Sequence, residues 1–153
     1  MATFISHSEA ETADLGESWG RMASSGLLVA LSGDLGSGKT QLVKGVARGL
    51  GSDSRVQSPT FALVNIYEGG RLKLFHLDLY RLDTREQIRG AGLEDYFRPD
   101  GVAVVEWAER WFGNDGPANV PSVGEISSAR YVRVFIEMTG ETQRRITYDL
   151  FGA

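Results

Sequence analysis

Leu27-Leu28-Val29-Ala30-Leu31-Ser32-Gly33-Asp34-Leu35-Gly36-Ser37-Gly38-Lys39-Thr40, continued by Gln41-Leu42-Val43-Lys44-Gly45-Val46-Ala47-Arg48-Gly49-Leu50, is the stretch that decides the fold. Its centre, residues 33–40, fits G-x-x-x-x-G-K-[ST], a loop that cradles phosphate groups. Leu27 to Leu31 form a short apolar run suited to a buried strand. Beyond the loop, Leu42, Val43, Val46 and Leu50 recur at helical spacing. Strand, glycine loop and helix therefore stand in the order that the motif needs.

The residue types have a physical reason. Gly36 and Gly38 can take backbone angles closed to other residues and put no side chain between the backbone and an anion. The N–H groups from Gly36 through Ser37 and Gly38 to Lys39, Thr40 and Gln41 can then point inward, at a helix N-terminus whose dipole also favours negative charge. Lys39 would reach the β- and γ-phosphates, and the Thr40 hydroxyl would bind Mg²⁺. The pattern implies a bound nucleotide.

Composition sets the bounds. At 153 residues the chain reads as one domain, spanning 1–153. It has 42% hydrophobic and 24% charged residues, ordinary globular values. The absence of cysteine excludes disulfides, thiolate metal sites and a cysteine nucleophile. Residues 1–9 carry neither a basic cluster nor an apolar core, so no secretory signal is expected. No apolar run approaches the roughly 20 residues of a membrane span, and a cytoplasmic protein without membrane association is expected. A net charge of −4 disfavours direct, stable nucleic-acid binding by the isolated chain. The one basic doublet, Arg144-Arg145, reads as part of a solvated strand face.

Along the chain, Thr3 to Ser6 predict a short first strand, and Ser8-Glu9-Ala10-Glu11 matches a capping box. Leu15, Trp19, Met22 and Ala23 follow at helical spacing, with Trp19 read as core rather than a cofactor contact. Phe61–Tyr67 and Leu72–Tyr80 are β-rich runs around Glu68-Gly69-Gly70-Arg71, which reads as a hairpin turn. Thr84 caps a short helix. Val102–Val105 is a continuous apolar run, as in a strand buried on both faces. Phe112–Ala129 is the most loop-like stretch, and Tyr131–Met138 with Arg144–Leu150 predict a closing antiparallel pair.

Further site candidates follow from these elements. A phosphate loop needs a carboxylate at the C-terminal end of a neighbouring strand to hold Mg²⁺, and Glu106 directly follows Val102–Val105. A first-turn acid of the next helix is the alternative. Strand alternation puts His76, Asp78 and Tyr80 on one face. Asp78 could hold a metal-bound water, orient the attacking water, or lock Lys39, while His76 reads as a hydrogen-bonding residue rather than a base. Thr60 either binds Mg²⁺ or senses the γ-phosphate from a switch loop, or merely starts a strand.

Together, Gly33–Thr40, Ser58-Pro59-Thr60-Phe61, His76-Leu77-Asp78-Leu79-Tyr80-Arg81 and Val105-Glu106-Trp107 resemble the TsaE (YjeE) family in order and spacing. The resemblance runs from about Ser8 to Trp107. It implies an α/β fold: a single P-loop domain with a mixed, mostly parallel sheet, an antiparallel hairpin and flanking helices. It implies ATP and Mg²⁺ as ligands, weak intrinsic hydrolysis, and a role in threonylcarbamoyladenosine modification of tRNA with a complex of the TsaD and TsaB proteins. On that basis Thr40 and Glu106 would be the metal-site residues, Lys39 the phosphate clamp and Thr60 a switch residue. Asp78 and Trp107 would support turnover, and Ser8 or Glu9 would lie near the adenine. Gln41 departs from the family, where a second threonine is common, though its backbone N–H could still serve.

The rival reading is a P-loop small-molecule kinase, which needs an acceptor pocket and a lid usually rich in arginine. Phe112–Ala129 contains no arginine, which weighs against it. No Asn-Lys-x-Asp signature for guanine is present. A nucleotide-dependent binding module without useful hydrolysis is a third reading. No arginine is an obvious finger in cis; Arg81 is a candidate.

Overall fold

The first helical turn shows how local chemistry sets the element boundaries. Ser8 stands before α1 (Glu9–Met22) with an extended backbone, and its side chain accepts from the Glu11 N–H at 3.1 Å. Glu11 reaches back one residue further than a capping box would place it: its carboxylate accepts from the His7 N–H at 3.2 Å. In a computed structural model, which describes residues 1–34, 36–59, 62–113 and 130–151, this helix follows β1 (Ala2–Ser6) and precedes β2 (Leu27–Gly33). Then come α2 (Lys39–Gly49), the hairpin β3 (Val64–Tyr67) and β4 (Leu74–Asp78), and α3 (Arg85–Gly90). A 3₁₀ turn (Glu94–Phe97), β5 (Val102–Glu106), α4 (Glu109–Phe112), β6 (Tyr131–Met138) and β7 (Arg144–Phe151) follow among the described residues.

The strands form one seven-stranded sheet in the order β1-β7-β6-β2-β5-β4-β3. The four central strands β6, β2, β5 and β4 run parallel, and both edges are antiparallel. This is the mixed α/β sheet that the resemblance implies, with the expected hairpin at one edge and the expected closing pair beside β1, which forms the other edge. The hairpin strands are shorter than their β-rich runs, and residues 114–129, most of the loop-like stretch, lie outside the described residues.

Every residue of β5 is buried, as the unbroken apolar run predicts, and its side chains feed two cores. Val102 and Val104 join Val29, Leu31, Val134 and Ile136 under α1 and α2. Ala103 and Val105 join Leu28, Ala30 and Leu77 under Ile88, Phe97 and Phe112 from the opposite helical layer. Helices thus cover both faces of the sheet. Trp19 is 6% exposed and meets the Tyr148 ring edge-on at 5.2 Å, a core position.

Helices α1 and α2 touch backbone to backbone. A Cβ on Gly16 would lie 2.3 Å from the Leu42 carbonyl oxygen, and one on Gly45 would lie 1.9 Å from that of Ala13. Gly20 and Gly49 are equally tight, at 2.4 and 2.2 Å from the carbonyl oxygens of Val46 and Glu17. The start of α1 is therefore held against the helix that begins at the phosphate loop. Among the described residues no helix is long and apolar enough to cross a membrane.

Candidate nucleotide site

Sheet register assembles the site. Leu31 of β2 pairs with Glu106 of β5, and Glu106 pairs with Asp78 of β4. The last residues of two parallel strands therefore stand level beside the loop that leaves β2, at the strand ends where open α/β sheets take their ligands. Gly36 and Gly38 have φ of 79° and 100°, with nothing within 4 Å of where a Cβ would stand. Gly38 caps α2 in the left-handed conformation without a side-chain hydrogen bond. The first N–H groups of that helix are left for an outside acceptor.

Lys39 is folded back on its own loop. Its ammonium donates to the carbonyl oxygens of Gly33 and Asp34, both at 2.8 Å, and lies 3.4 Å from the Ser37 hydroxyl. It also sits 4.4 Å from the centre of the Trp107 ring. Burial lowers its pKa, opposed by the negative charges of Glu106, Glu109, Asp78 and Asp34. Asp78 does not lock Lys39: its carboxylate accepts from the Ser58 hydroxyl at 3.2 Å and the Tyr80 N–H at 2.9 Å. Burial raises the Asp78 pKa, with the neighbouring Glu106 charge acting the same way and the two hydrogen bonds acting against it.

Glu106 ends its strand and is 4% exposed. The Thr40 hydroxyl lies 3.3 and 3.4 Å from its two carboxylate oxygens. Its Oε2 also meets His76 Nε2 in a short hydrogen bond. Trp107, the next residue, has φ of 59°, a left-handed conformation that costs a non-glycine residue about 1–3 kcal/mol. The Ala108 N–H donates to the Leu31 carbonyl at 2.9 Å, and the Trp107 ring packs on Tyr80 at 4.9 Å. These contacts hold the indole over Lys39.

A cavity of about 370 Å³ brings together Glu9, the loop residues Gly36 to Gln41, Ser58, Asp78, Tyr80, Glu106 and Trp107. A second, of about 460 Å³, shares Glu9, Gly36, Gly38 and Gln41 with it and extends along Ser8 and Ala10 to Glu141, Thr142 and Arg144. Around these two cavities the structure gathers the site residues expected from the sequence, apart from Arg81, while Thr60 lies outside the described residues.

Two contributors are invisible in the sequence. Arg145 does lie on a solvated face, paired with Glu137, but Arg144 does not. The Arg144 guanidinium donates to the Ser37 carbonyl at 3.1 Å and, in the β6–β7 turn, to Gly140 and Gln143 at 3.1 and 3.0 Å. It ties that turn to the loop from 107 residues away, a separation at which no spacing signal exists. Glu109 is the other: burial raises its pKa, the Lys39 charge opposes this, and its Oε1 is buried without a hydrogen-bond partner among the described residues. Arg81 is exposed and lines neither cavity.

The family model for "Threonylcarbamoyl adenosine biosynthesis protein TsaE" matches residues 6–146. The chain belongs to the TsaE family. TsaE of Bacillus subtilis strain 168 is 34% identical over 142 residues, 93% of this chain and 81% of that protein. TsaE of Treponema pallidum is 43% identical over 106 residues, covering 69% and 78%. That of Aquifex aeolicus is 36% identical over 135 residues, covering 86% and 93%. The crystal structure of B. subtilis YdiB superposes with a TM-score of 0.73 at 29% identity, covering 99% of this chain and 86% of that one. The TsaE match includes both the phosphate loop and the strand-end carboxylates.

Proposed function

We propose that this chain is a cytoplasmic, Mg²⁺-dependent ATP-binding protein with weak ATPase activity. It acts on a complex of TsaD and TsaB to support threonylcarbamoyladenosine modification of tRNA. The observation that carries the reading is the approach of the Thr40 hydroxyl to within 3.3 Å of Glu106, beside a glycine loop that leaves its N–H groups open. This joins the phosphate loop to a strand-end carboxylate as metal-assisted phosphoryl chemistry needs. The membership in the TsaE family and the names of its relatives support the pathway.

The donor set fits magnesium: a hydroxyl and a carboxylate are hard oxygen ligands, and this ion keeps several waters rather than demanding an all-protein cage. Thr40 and Glu106 would hold it, and bound there it neutralises charge on the phosphates. Lys39 would exchange its carbonyl partners for phosphate oxygens, a stronger, doubly charged hydrogen bond. Asp78 would orient the attacking water from the cavity wall, since positioning matters more here than base strength. The two cavities around Glu9 and Gly38 suit a ligand with a phosphate end and a nucleoside end.

The switch role of Thr60 belongs to the same proposal. The described residues beside it are tied to β4: Ser58 to the Asp78 side chain, and Leu63, through the Asp78 N–H, at 3.0 Å. Ordering of this loop by ATP would create the surface that docks on the partners, and hydrolysis would release it. Among the described residues Lys39 is the one basic side chain lining the first cavity, so slow turnover alone and faster turnover with partners is expected. Purified chain mixed with a TsaD–TsaB complex should co-elute in size-exclusion chromatography with Mg·ATP and not without it. Co-elution independent of nucleotide, or none under either condition, refutes the proposed switch.

A further inference from the structure

Glu106 is held by two groups of unequal strength. The Thr40 contacts, at 3.3 and 3.4 Å, are long for O–H···O hydrogen bonds and come from a part-exposed hydroxyl, while the other partner, His76 Nε2, belongs to a fully buried ring. The orientation of the carboxylate therefore follows the imidazole rather than the hydroxyl. His76 itself has no freedom. It is fully buried on β4, paired with Val104, with the Tyr67 ring at 6.2 Å behind it. Tyr67 is fixed in turn through its hydroxyl to the backbone of Gln57.

The other ring nitrogen decides between packing and purpose. Nδ1 is buried and has no hydrogen-bond partner among the described residues. An unsatisfied buried polar atom is destabilising, and an apolar residue such as the neighbouring Leu74 or Leu77 would fill a strand position without that cost. What the histidine adds over leucine is the single N–H directed at Glu106. As a metal-binding carboxylate Glu106 accepts, so Nε2 is the donor of this pair.

We propose that His76 is a positioning residue for the metal site, setting the orientation in which Glu106 meets Mg²⁺ while touching neither the metal nor the nucleotide. The inference rests on the proposed Mg·ATP site. An imidazole behind a metal-binding carboxylate plays the part that second-layer hydrogen bonds play in other metal sites, where their loss costs 10- to 100-fold in affinity. The effect is confined to the metal: the loop, Lys39 and the helix N-terminus do not depend on His76, so nucleotide binding without Mg²⁺ is spared.

The test is calorimetric titration of ATP into wild type, His76→Leu, His76→Gln and His76→Asn, in EDTA and over a series of Mg²⁺ concentrations. Glutamine can place an amide N–H where Nε2 stands, whereas asparagine reaches only as far as Nδ1. His76→Leu should keep its metal-free affinity within about twofold, and its half-saturating Mg²⁺ concentration should rise at least about tenfold. His76→Gln should restore most of the metal response and His76→Asn should not. If His76→Leu fails to fold, the Gln and Asn variants decide the matter by the same criterion. An unchanged Mg²⁺ response in His76→Leu, equal responses in the Gln and Asn variants, or a loss of ATP affinity equal with and without metal overturns the inference. Failure of the wild type to bind ATP overturns the proposed site instead, and the two failures are distinct.

Discussion

Gly45→Ala should destabilise this protein although alanine is the better helix former. In α2 the substitution gains up to about 1 kcal/mol of helix propensity. The new Cβ, however, would stand 1.9 Å from the Ala13 carbonyl oxygen, 2.7 Å from its carbon and 2.9 Å from the Glu17 nitrogen. These are backbone atoms of a helix, with no side-chain rotation to relieve them. Reaching an ordinary contact requires α1 and α2 to part locally by about 1.5 Å. Gly16, Gly20 and Gly49 lie in the same seam, each with carbonyl oxygen within 2.4 Å of its would-be Cβ, so the separation opens all four contacts. Overpacking of this kind costs about 1–3 kcal/mol before the lost seam contacts are counted. The expected net loss is about 2–4 kcal/mol, or a fall in Tm of about 5–15 °C for a chain of this size. Gly90→Ala is the control, since nothing lies within 4 Å of its Cβ position, and its Tm should stay level or rise slightly. Scanning calorimetry of both variants settles the matter. A Gly45→Ala Tm equal to or above the wild type refutes the reasoning, because propensity would then outweigh the backbone contact.

Glu106→Gln should leave ATP affinity in EDTA within a few-fold of wild type and reduce hydrolysis at least about 100-fold, read by phosphate release. Asp78→Asn should be stabler than wild type at neutral pH and slower in turnover. The sign follows from its raised pKa: the folded state binds the proton more tightly than the unfolded one, so the ionised side chain costs stability as pH rises through the carboxylate range. The Tm advantage of Asn should therefore shrink as pH is lowered through that range, and an advantage independent of pH contradicts it. Arg144→Gln removes the guanidinium bridge between the β6–β7 turn and the Ser37 carbonyl. Its ATP affinity should fall about 10-fold, about the worth of one charge-assisted hydrogen bond, with inorganic triphosphate affected less than ATP.

The parts of the fold legible in the sequence are those with local causes. The β2–loop–α2 unit is written in contiguous spacing, the α1 start in the Ser8 cap, and the buried centre of the sheet in the unbroken run Val102–Val105. The closing pair β6 and β7 was legible as a hairpin. That β6 also runs parallel beside β2 was not, because the pairing of Val134 with Leu31 is non-local and leaves no periodic trace. The site divides the same way. Lys39 and Thr40 are read from one motif, and Glu106 from its place at a strand end. Arg144 and Glu109 act through tertiary approach: one reaches the loop from the far end of the chain, the other is buried beside Lys39 at the start of a four-residue helix. The resting partners of Lys39 were hidden too, since the motif specifies where the ammonium goes when phosphate is present and not where it waits.

The central claim is that the loop around Lys39 and the acid at Glu106 form one Mg·ATP site, and calorimetric titration of Mg·ATP into wild type and Lys39→Ala tests it most directly. The wild type should bind one nucleotide per chain. Lys39→Ala should lose at least about 100-fold in affinity, the worth of one or two hydrogen bonds between charged groups. Equal affinity in the two proteins, or no binding by the wild type, contradicts the account.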